Sequence, residues 1–215
     1  MNVLAVDGAL GSFSAAIAQD DRVVAARSEA GNVALERGLA LVEAVLEQAG
    51  LAPPGLDRLA VGIGPGTFTG LRIAIAYAKS LAAVWQRPLV PILSFDLLEF
   101  GNALDRVLTI VEGRPGVISA RYRCDSETRR ASGRIADVLD ALVVDKGGKL
   151  SVIGAPKDVL HALAERGIIV RPVAPLVMPA AAAAALAASA RTPPKSLHEV
   201  HADYGELPAV TMRKR

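Results

Sequence analysis

The stretch Gly62-Ile63-Gly64-Pro65-Gly66-Thr67-Phe68-Thr69-Gly70-Leu71-Arg72 decides the fold, because it joins a strand exit, a glycine-rich loop and a helix entry. Residues 58–63 have the apolar character of a strand, and residues 70–84 have the pattern of a helix. The four glycines let the backbone turn sharply, Pro65 stiffens the loop, and Thr69 is the predicted N-cap. The loop amides then lie at a helix N-terminus, where they can receive an anion or make a tight backbone contact.

Neither of the two common phosphate-binding fingerprints fits this spacing. A Walker loop ends in Gly-Lys-Ser/Thr, and the dinucleotide fingerprint requires Gly-x-Gly-x-x-Gly. The stretch therefore leaves two interpretations open. One is a phosphate site, and the other is a strand-to-helix turn whose glycines only permit close packing.

Composition favours a cytoplasmic α/β protein of one large or two small domains. The 215 residues are 52% hydrophobic but only 4% aromatic, which predicts a core of Ala, Val, Leu and Ile in helices packed on a sheet. No run has the roughly 18 apolar residues of a membrane span, and Met1 leads directly into a strand pattern. The single cysteine, Cys124, excludes an internal disulfide, and a net charge of +2 gives no argument for a nucleic-acid surface.

The first half of the chain has the order βββαβα. Asn32 is the predicted cap of the first helix, and Gly50 is its predicted C-terminal stop. The predicted strands and helices, which complete a first domain over residues 1–104, are strands at 3–6, 12–18, 22–28, 58–63 and 89–93 and helices at 33–48, 70–84 and 94–104.

The second half begins like the first. An offset of 105 residues places Asp7 on Glu112 and Ser14 on Ser119, which indicates a duplication. A smaller second domain is predicted over residues 105–191, and residues 192–215 are predicted to be a tail that packs loosely or is disordered. The predicted elements of this half are strands at 108–111, 117–123, 151–153 and 168–171 and helices at 134–144, 157–166 and 179–190.

Candidate catalytic groups are few. Asp7 and Glu112 each follow a strand and precede a glycine turn, as in proteins that hold a nucleotide phosphate between paired hairpins. An acid at this position is also a common turn former, and no lysine or second acid accompanies either one. The chain has only three histidines, which do not suggest a metal site, and no Gly-x-Ser-x-Gly elbow. We therefore predict no catalytic residue and no metal ligand.

The helices at 33–48 and 70–84 are apolar on more than one side. One stripe of each helix can face the sheet, and the other is either buried in a large core or covered by a second subunit. We expect a homodimer of the isolated chain through the same face that binds a heteromeric partner. The predicted interface residues are Leu35, Leu39, Leu41, Val42, Val45, Leu46, Ile73, Tyr77 and Leu81.

Residues 62–72 resemble the stretch Gly-x-Gly-Pro-Gly-Ser/Thr-Phe-Thr-Gly-Leu/Val-Arg of the bacterial TsaB (YeaZ) family, which is also labelled glycoprotease-like or peptidase-M22-like. The resemblance extends to residues 4–7 and 89–98, and so covers about the first hundred residues. It is weaker at residues 112–119, where the family usually has Asp-Ala-Arg-x-Gly-Glu-Val-Tyr and this chain lacks the Glu and the Tyr.

The resemblance implies the fold of the actin, Hsp70 and sugar-kinase (ASKHA) superfamily, with two duplicated βββαβα-type domains. It also implies a non-catalytic subunit that works with the TsaD subunit and the ATPase TsaE. Together these make N6-threonylcarbamoyladenosine at position 37 of tRNAs that read codons beginning with A, so that tRNA is met only through the complex. The His-x-x-x-His metal motif of the TsaD subunit has no counterpart at residues 35–39.

No intrinsic cofactor is expected, although ATP or ADP can sit at the partner interface. The competing function is that of an ATP-dependent small-molecule kinase or a glycoprotease-like peptidase of the same fold, which the missing residues disfavour. The candidate nucleotide or interface residues are Asp7, Gly64, Pro65, Gly66, Thr67, Phe68, Thr69, Gly70 and Arg72.

Overall fold

A mixed five-stranded sheet forms the centre of the first lobe. The structure is a computed structural model that describes residues 1–20, 22–31, 36–142, 149–189 and 196–205. The strand order is β3-β2-β1-β4-β5, in which β1, β2 and β3 pair antiparallel while β4 and β5 add in parallel to β1. The strands are β1 (Asn2–Asp7), β2 (Ser12–Gln19), β3 (Arg22–Ala30), β4 (Arg58–Gly64) and β5 (Leu89–Leu93).

A second sheet repeats this topology and forms the second lobe. Its order is β10-β9-β6-β7-β8. Read in the opposite direction, from β8 to β10, each strand takes the place of the strand numbered five lower in the first sheet. The predicted duplication of a βββαβα unit is therefore confirmed. The strands are β6 (Arg106–Arg114), β7 (Val117–Cys124), β8 (Glu127–Arg134), β9 (Leu150–Ile153) and β10 (Val170–Val173).

The prediction omitted β8 and began a helix at residue 134. This edge strand has no buried residue, so its sequence lacks the alternating apolar pattern by which a strand is recognised. The helix begins instead at Ile135, directly after the strand.

The described helices connect the strands and cover both sheets. They are α1 (Gly38–Gln48), α2 (Phe68–Trp85), α3 (Ser94–Glu99), α4 (Ile135–Leu142), α5 (Lys157–Glu165) and α6 (Pro179–Ser189). The predicted cap Asn32 lies outside the described residues. Helix α3 ends at Glu99 rather than near 104, because Gly101 takes a positive φ of 77° and the chain turns away. Among the described residues, no helix has the length and apolarity that a membrane crossing requires.

The first sheet is covered on both faces. Leu4 and Val6 of β1 face α1 and α2, whereas Val3 and Ala5 point to the opposite face and pack on α6. The amide of Ala180 donates to Ser14 Oγ at 3.2 Å and fixes the start of α6 on β2. Helix α6 therefore belongs to the first lobe, although the sequence placed it in a domain spanning residues 105–191. Its small alanines allow this close approach to the sheet.

The second sheet is also covered on two faces. Helices α4 and α5 pack on one face, where residues such as Leu108, Leu139 and Leu163 are fully buried. The other face meets α3, whose Phe95 and Leu98 pack on Val107 and Val111. Helix α3 thus connects the lobes in sequence and contacts the second sheet in space.

Residues 196–205, here called the strap, pack firmly against the first lobe. The side chain of Val200 is only 1% exposed, and the Asp203 amide donates to the Ile63 carbonyl at 2.7 Å. The expectation of a loose or disordered tail is wrong for these residues. The apolar positions of the strap are too widely spaced to form a periodic pattern in the sequence.

The packing of α6 can be tested by enlarging one buried alanine. Ala183 is fully buried against the first sheet, and Ser189 at the end of the same helix is exposed. We expect Ala183→Leu to lower the free energy of unfolding by about 1–3 kcal/mol through overpacking. The matched insertion Ser189→Leu should change it by less than about 0.5 kcal/mol. Urea unfolding measures both, and equal midpoints for the two variants would contradict this packing.

Candidate functional site

The glycine-rich loop packs directly on the turn between β1 and β2. The Thr67 amide donates to the Ala9 carbonyl at 2.9 Å, and the Thr67 hydroxyl donates to the Gly8 carbonyl at 3.3 Å. Helix α2 begins at Phe68, so Thr67 occupies the N-cap position and makes no side-chain cap. The predicted cap at Thr69 is wrong, because Thr69 already lies in the first turn of the helix.

Close backbone approach explains the glycines of this loop. A Cβ on Gly70 would lie 1.8 Å from the Gly8 carbonyl oxygen, and one on Gly66 would lie 2.4 Å from that of Ala9. Within residues 62–70 only Gly64 has a positive φ, at 103°. The glycines at 66 and 70 are therefore required by the neighbouring backbone and not by a left-handed conformation. The loop makes the tight backbone contact that was one of the two interpretations of its sequence.

Asp7 lies beneath this contact and is completely buried. Its Oδ2 accepts a hydrogen bond from the Ala9 amide at 3.2 Å, whereas its Oδ1 has no hydrogen-bond partner among the described residues. A Cβ on Gly62 would lie 1.9 Å from Oδ1, so the neighbouring strand closes the carboxyl off on that side. Burial raises the pKa of Asp7 to about 7. The backbone hydrogen bonds from Ala9 and Leu10 lower this pKa, but their effect is smaller than that of burial.

Glu112 lies on β6 near the turn that corresponds to the one after Asp7, but its surroundings differ. It is exposed, whereas Asp7 is completely buried. The two acids therefore do not form the matched pair that the sequence repeat suggested. The close backbone contacts of the glycine-rich loop, at Gly66 and Gly70, are made with the turn after Asp7.

The exposed residues that follow the loop form one side of a groove on α2. The groove has a volume of about 450 Å³. The Arg72 guanidinium lies 5.1 Å from the ring centre of Phe68. The ring centres of Phe68 and Tyr204 are 5.2 Å apart. We call the following residues the α2 groove: Phe68, Thr69, Arg72, Ile73, Ala76 and Tyr77.

The candidate loop residues thus divide into two groups. Gly64, Pro65, Gly66 and Gly70 are buried, and Thr67 is half-buried. The exposed residues Phe68, Thr69 and Arg72 belong to the α2 groove. The buried group shapes the loop, and the exposed group is available to a ligand or a partner.

The predicted helical interface is only partly available. Val42, Val45 and Leu46 are buried in the core of the first lobe, so their prediction as interface residues is wrong. They form the stripe by which α1 packs on the sheet. Leu39 is 49% exposed, while the half-buried residues of the prediction are Leu41, Ile73, Tyr77 and Leu81. Leu35 lies outside the described residues.

Sequence reasoning missed a partly buried ion cluster between α3 and the second sheet. Arg121 contacts Asp96 at 2.6 Å and Glu99 at 3.0 Å, and Arg123 contacts Glu99 at 3.1 Å. Thr109 also donates to Glu99. The alternation of Ser119, Arg121 and Arg123 along an otherwise apolar strand was the available signal. It predicts a polar stripe on one face of β7.

A small cavity lies between the two lobes. Its volume is about 230 Å³. We call it the interlobe cavity, and the residues that line it are Pro65, Phe95, Ser119, Ala120, Arg130, Ala131, Ser132, Asp203 and Gly205. In the described ranges, no three His, Cys, Asp or Glu side chains come together as a metal site would require.

These features define a two-lobed α/β protein with the fold of the actin, Hsp70 and sugar-kinase proteins, in which two five-stranded sheets repeat one topology. The solved structure of YeaZ from Pseudomonas aeruginosa superimposes with a TM-score of 0.73 at 24% identity, covering 94% of this chain and 99% of that one. The protein EutJ from Carboxydothermus hydrogenoformans has a TM-score of 0.52 at 13% identity, over 86% of this chain and 89% of its own. At these identities the similarity establishes the fold.

Sequence comparison gives the family. The family model described as TsaD, tRNA N6-adenosine threonylcarbamoyltransferase, matches residues 29–157. The tRNA threonylcarbamoyladenosine biosynthesis protein TsaB of Escherichia coli is 32% identical over 130 residues, which are 58% of this chain and 56% of that protein. An uncharacterized protein of Mycobacterium tuberculosis is 34% identical over 164 residues, or 72% of each chain.

The chain therefore belongs to the TsaD family that this model describes. It is also similar to the TsaB and YeaZ proteins named above. The aligned region spans little more than half of the length of the Escherichia coli relative.

The contact between the loop and the turn predicts which glycine substitutions are tolerated. Gly70→Ala forces a methyl group against the Gly8 carbonyl, and we expect it to cost about 1–3 kcal/mol of stability. Gly55→Ala is the matched control, because a Cβ there meets only a flexible leucine methyl at 3.5 Å. Thermal and urea unfolding should show a loss for the first variant only. Equal stability of both variants would contradict the close backbone approach.

Burial of Asp7 predicts a pH dependence of stability. Because the pKa in the folded state is raised from 3.8 to about 7, the folded protein binds the proton more tightly than the unfolded chain. The stabilisation by this proton is complete below about pH 4 and is lost as the pH rises through about 7. Asp7→Asn removes this titration.

We therefore expect the free energy of unfolding of the wild type to fall from pH 5 to pH 8 relative to that of Asp7→Asn. Urea unfolding at several pH values measures the difference. Parallel pH profiles for the two proteins would show that Asp7 does not titrate in this range.

Proposed function

We propose that this chain is a non-catalytic subunit in the formation of N6-threonylcarbamoyladenosine at position 37 of tRNAs that read codons beginning with A. In this proposal it binds a TsaD-type catalytic subunit, works with a TsaE-type ATPase, and meets tRNA only through the complex. The names of the Escherichia coli relative and of the matching family model support this process.

One observation carries the proposal of a binding role. The glycine-rich loop directs its backbone into the interior, while Phe68, Thr69 and Arg72 at its end are exposed on the α2 groove. The most specific motif of the chain thus builds a rigid base for an open surface. A motif with this arrangement suits recognition of another molecule better than a chemical step on a bound substrate.

The buried acid of the first turn supports the same proposal. A carboxylate that binds a metal or activates water must reach its ligand, and Asp7 has no exposed surface. Its one hydrogen-bonded oxygen accepts from the backbone of its own turn. No contact among the described residues favours the kinase or peptidase alternative.

The α2 groove has the side chains that interfaces use as anchors. Phe68 is 57% exposed and contacts both Arg72 and Tyr204. Aromatic and arginine residues supply much of the binding energy of protein interfaces. Gly38 at the start of α1 packs on Tyr77, which places the exposed Leu39 near the same surface. We propose this surface as the site of the TsaD-type partner.

In the absence of that partner, we propose that the same surface forms a homodimer. An exposed apolar groove is costly in water, and a second copy of the chain can cover it. We place any ATP or ADP at the heteromeric interface and the assembled complex in the cytoplasm.

Alanine substitutions in the α2 groove test the partner site. We expect Phe68→Ala and Arg72→Ala each to weaken binding of the TsaD-type subunit from the same organism by about tenfold or more, because each removes an anchor of the stack. Val84→Ala is the matched control, since Val84 is 77% exposed on the same helix but outside the groove. Isothermal titration measures binding, and thermal unfolding verifies that each variant is folded.

The same variants address the homodimer. Sedimentation of the wild type at micromolar concentration should show a dimer, and the two groove variants should shift it toward monomer. Wild-type binding by both groove variants would remove the α2 groove as the partner site. Robust turnover of ATP or of a peptide by the isolated chain would overturn the non-catalytic role.

A further inference from the structure

The strap begins on the first lobe with a fixed local structure. Ser196 and Glu199 form a capping box, in which Ser196 Oγ accepts from the His198 amide and Glu199 accepts from the Ser196 amide, each at 3.2 Å. Val200 follows and is buried in the core with α2 and β4. The start of the strap is therefore anchored, and its path beyond Val200 is directed toward the end of β4.

At the end of β4 the strap crosses the glycine-rich loop. The Asp203 amide donates to the Ile63 carbonyl at 2.7 Å. The next residue of the loop is Gly64, on which a Cβ would lie 2.2 Å from the Asp203 carbonyl oxygen. Gly64 thus provides both the positive φ of the loop and the space through which the strap passes.

Beyond this crossing the strap reaches the second lobe. Gly205 has a φ of 70°, and its amide donates to Asp203 Oδ1 at 2.9 Å, which turns the chain. A Cβ on Gly205 would lie 2.1 Å from Ser119 Oγ, a residue of β7. Between these two points, the ring of Tyr204 stacks on Phe68 of the first lobe. Asp203 and Tyr204 therefore contact the first lobe, and the next residue, Gly205, contacts the second.

This crossing lies at the wall of the interlobe cavity. Pro65 from the first lobe, Ser119 and Ser132 from the second, and Asp203 and Gly205 from the strap all line it. In a two-lobed fold, a molecule that contacts both lobes across the cleft holds them at a fixed separation. In this chain the strap makes such contacts itself.

We propose that the strap is an intramolecular clamp that holds the two lobes together over the interlobe cavity, where a bound ligand would otherwise bridge them. The clamp acts through three points: the backbone hydrogen bond to Ile63, the stack of Tyr204 on Phe68, and the close contact of Gly205 with Ser119. No partner protein or nucleotide enters this proposal, so it stands independently of the proposed function.

A side chain at Gly205 should open the clamp. In Gly205→Val the new side chain must move away from Ser119, and the strap must move with it. A suitable control is Gly167→Val, because Gly167 has a similar φ of 74° in the second lobe but nothing within 4 Å of its would-be Cβ. The control reproduces the backbone strain without the clash. Tyr204→Ala, which removes only the stack, is a milder second variant should Gly205→Val fold poorly.

Two measurements on the isolated chain read out the clamp. Hydrogen exchange reports the protection of the Asp203 amide, and electron-electron double resonance reports the distance between the lobes. Spin labels can be placed at Glu47→Cys and Ala141→Cys, which are exposed helix positions on the two lobes, with Cys124→Ser to remove the native thiol.

We expect a single narrow distance distribution for the labelled protein and for Gly167→Val. Gly205→Val should lose about tenfold or more of the protection at Asp203 and should give a broader or longer distribution, and Tyr204→Ala should do the same to a smaller extent. Loss of protection with an unchanged distribution would overturn the proposal, because the strap would then leave without releasing the lobes. Unchanged protection in Gly205→Val would also overturn it, since Gly205 would not be an anchor.

Discussion

The structure of the first lobe depends on one backbone contact, in which Gly70 meets the carbonyl of Gly8 without an intervening side chain. This contact fixes the start of α2 against the turn between β1 and β2. The hydrogen bond from Thr67 to Ala9 adds direction to it. Because packed backbones have no side-chain rotamers through which to adjust, the position of α2 is set within a narrow range. The residues of the α2 groove lie on this helix, so the contact with the turn between β1 and β2 also sets their position.

The same contact determines the chemistry of Asp7. By closing the turn, the glycine-rich loop removes the carboxyl group from water, and desolvation makes its charged form costly. An acid at this strand end is thereby changed from a group that could meet a ligand into a buried group of the core. Glu112, the corresponding acid of the second sheet, remains exposed. Two repeats of one topology thus place corresponding acids in different surroundings.

Much of the fold was predictable because its buried strands have clear patterns. Residues 3–6 form a continuous apolar run, which is typical of a buried strand. The similarity of the residues around Glu112 to those around Asp7 revealed the duplication. The errors arose where pattern carries little information about neighbours. Helix α6 is apolar on all sides, so its sequence does not say which sheet it covers.

The site was predicted less completely than the fold. The apolar stripe of Val42, Val45 and Leu46 could not be assigned to a core or to an interface from its period alone. The burial of Asp7 and the contact of Gly205 with Ser119 depend on parts of the chain that are distant in sequence. Such contacts leave no local pattern, and only the three-dimensional structure revealed them.

Helix α6 makes the first lobe discontinuous along the chain. Val3, Ala5 and Ala60 are shielded by a helix that begins only at Pro179, after the entire second sheet. During synthesis on the ribosome, the first sheet therefore emerges with one apolar face uncovered while the second lobe is still being made. The first lobe can therefore complete its fold only after residues 179–189 have been made, later than the strands of the second sheet.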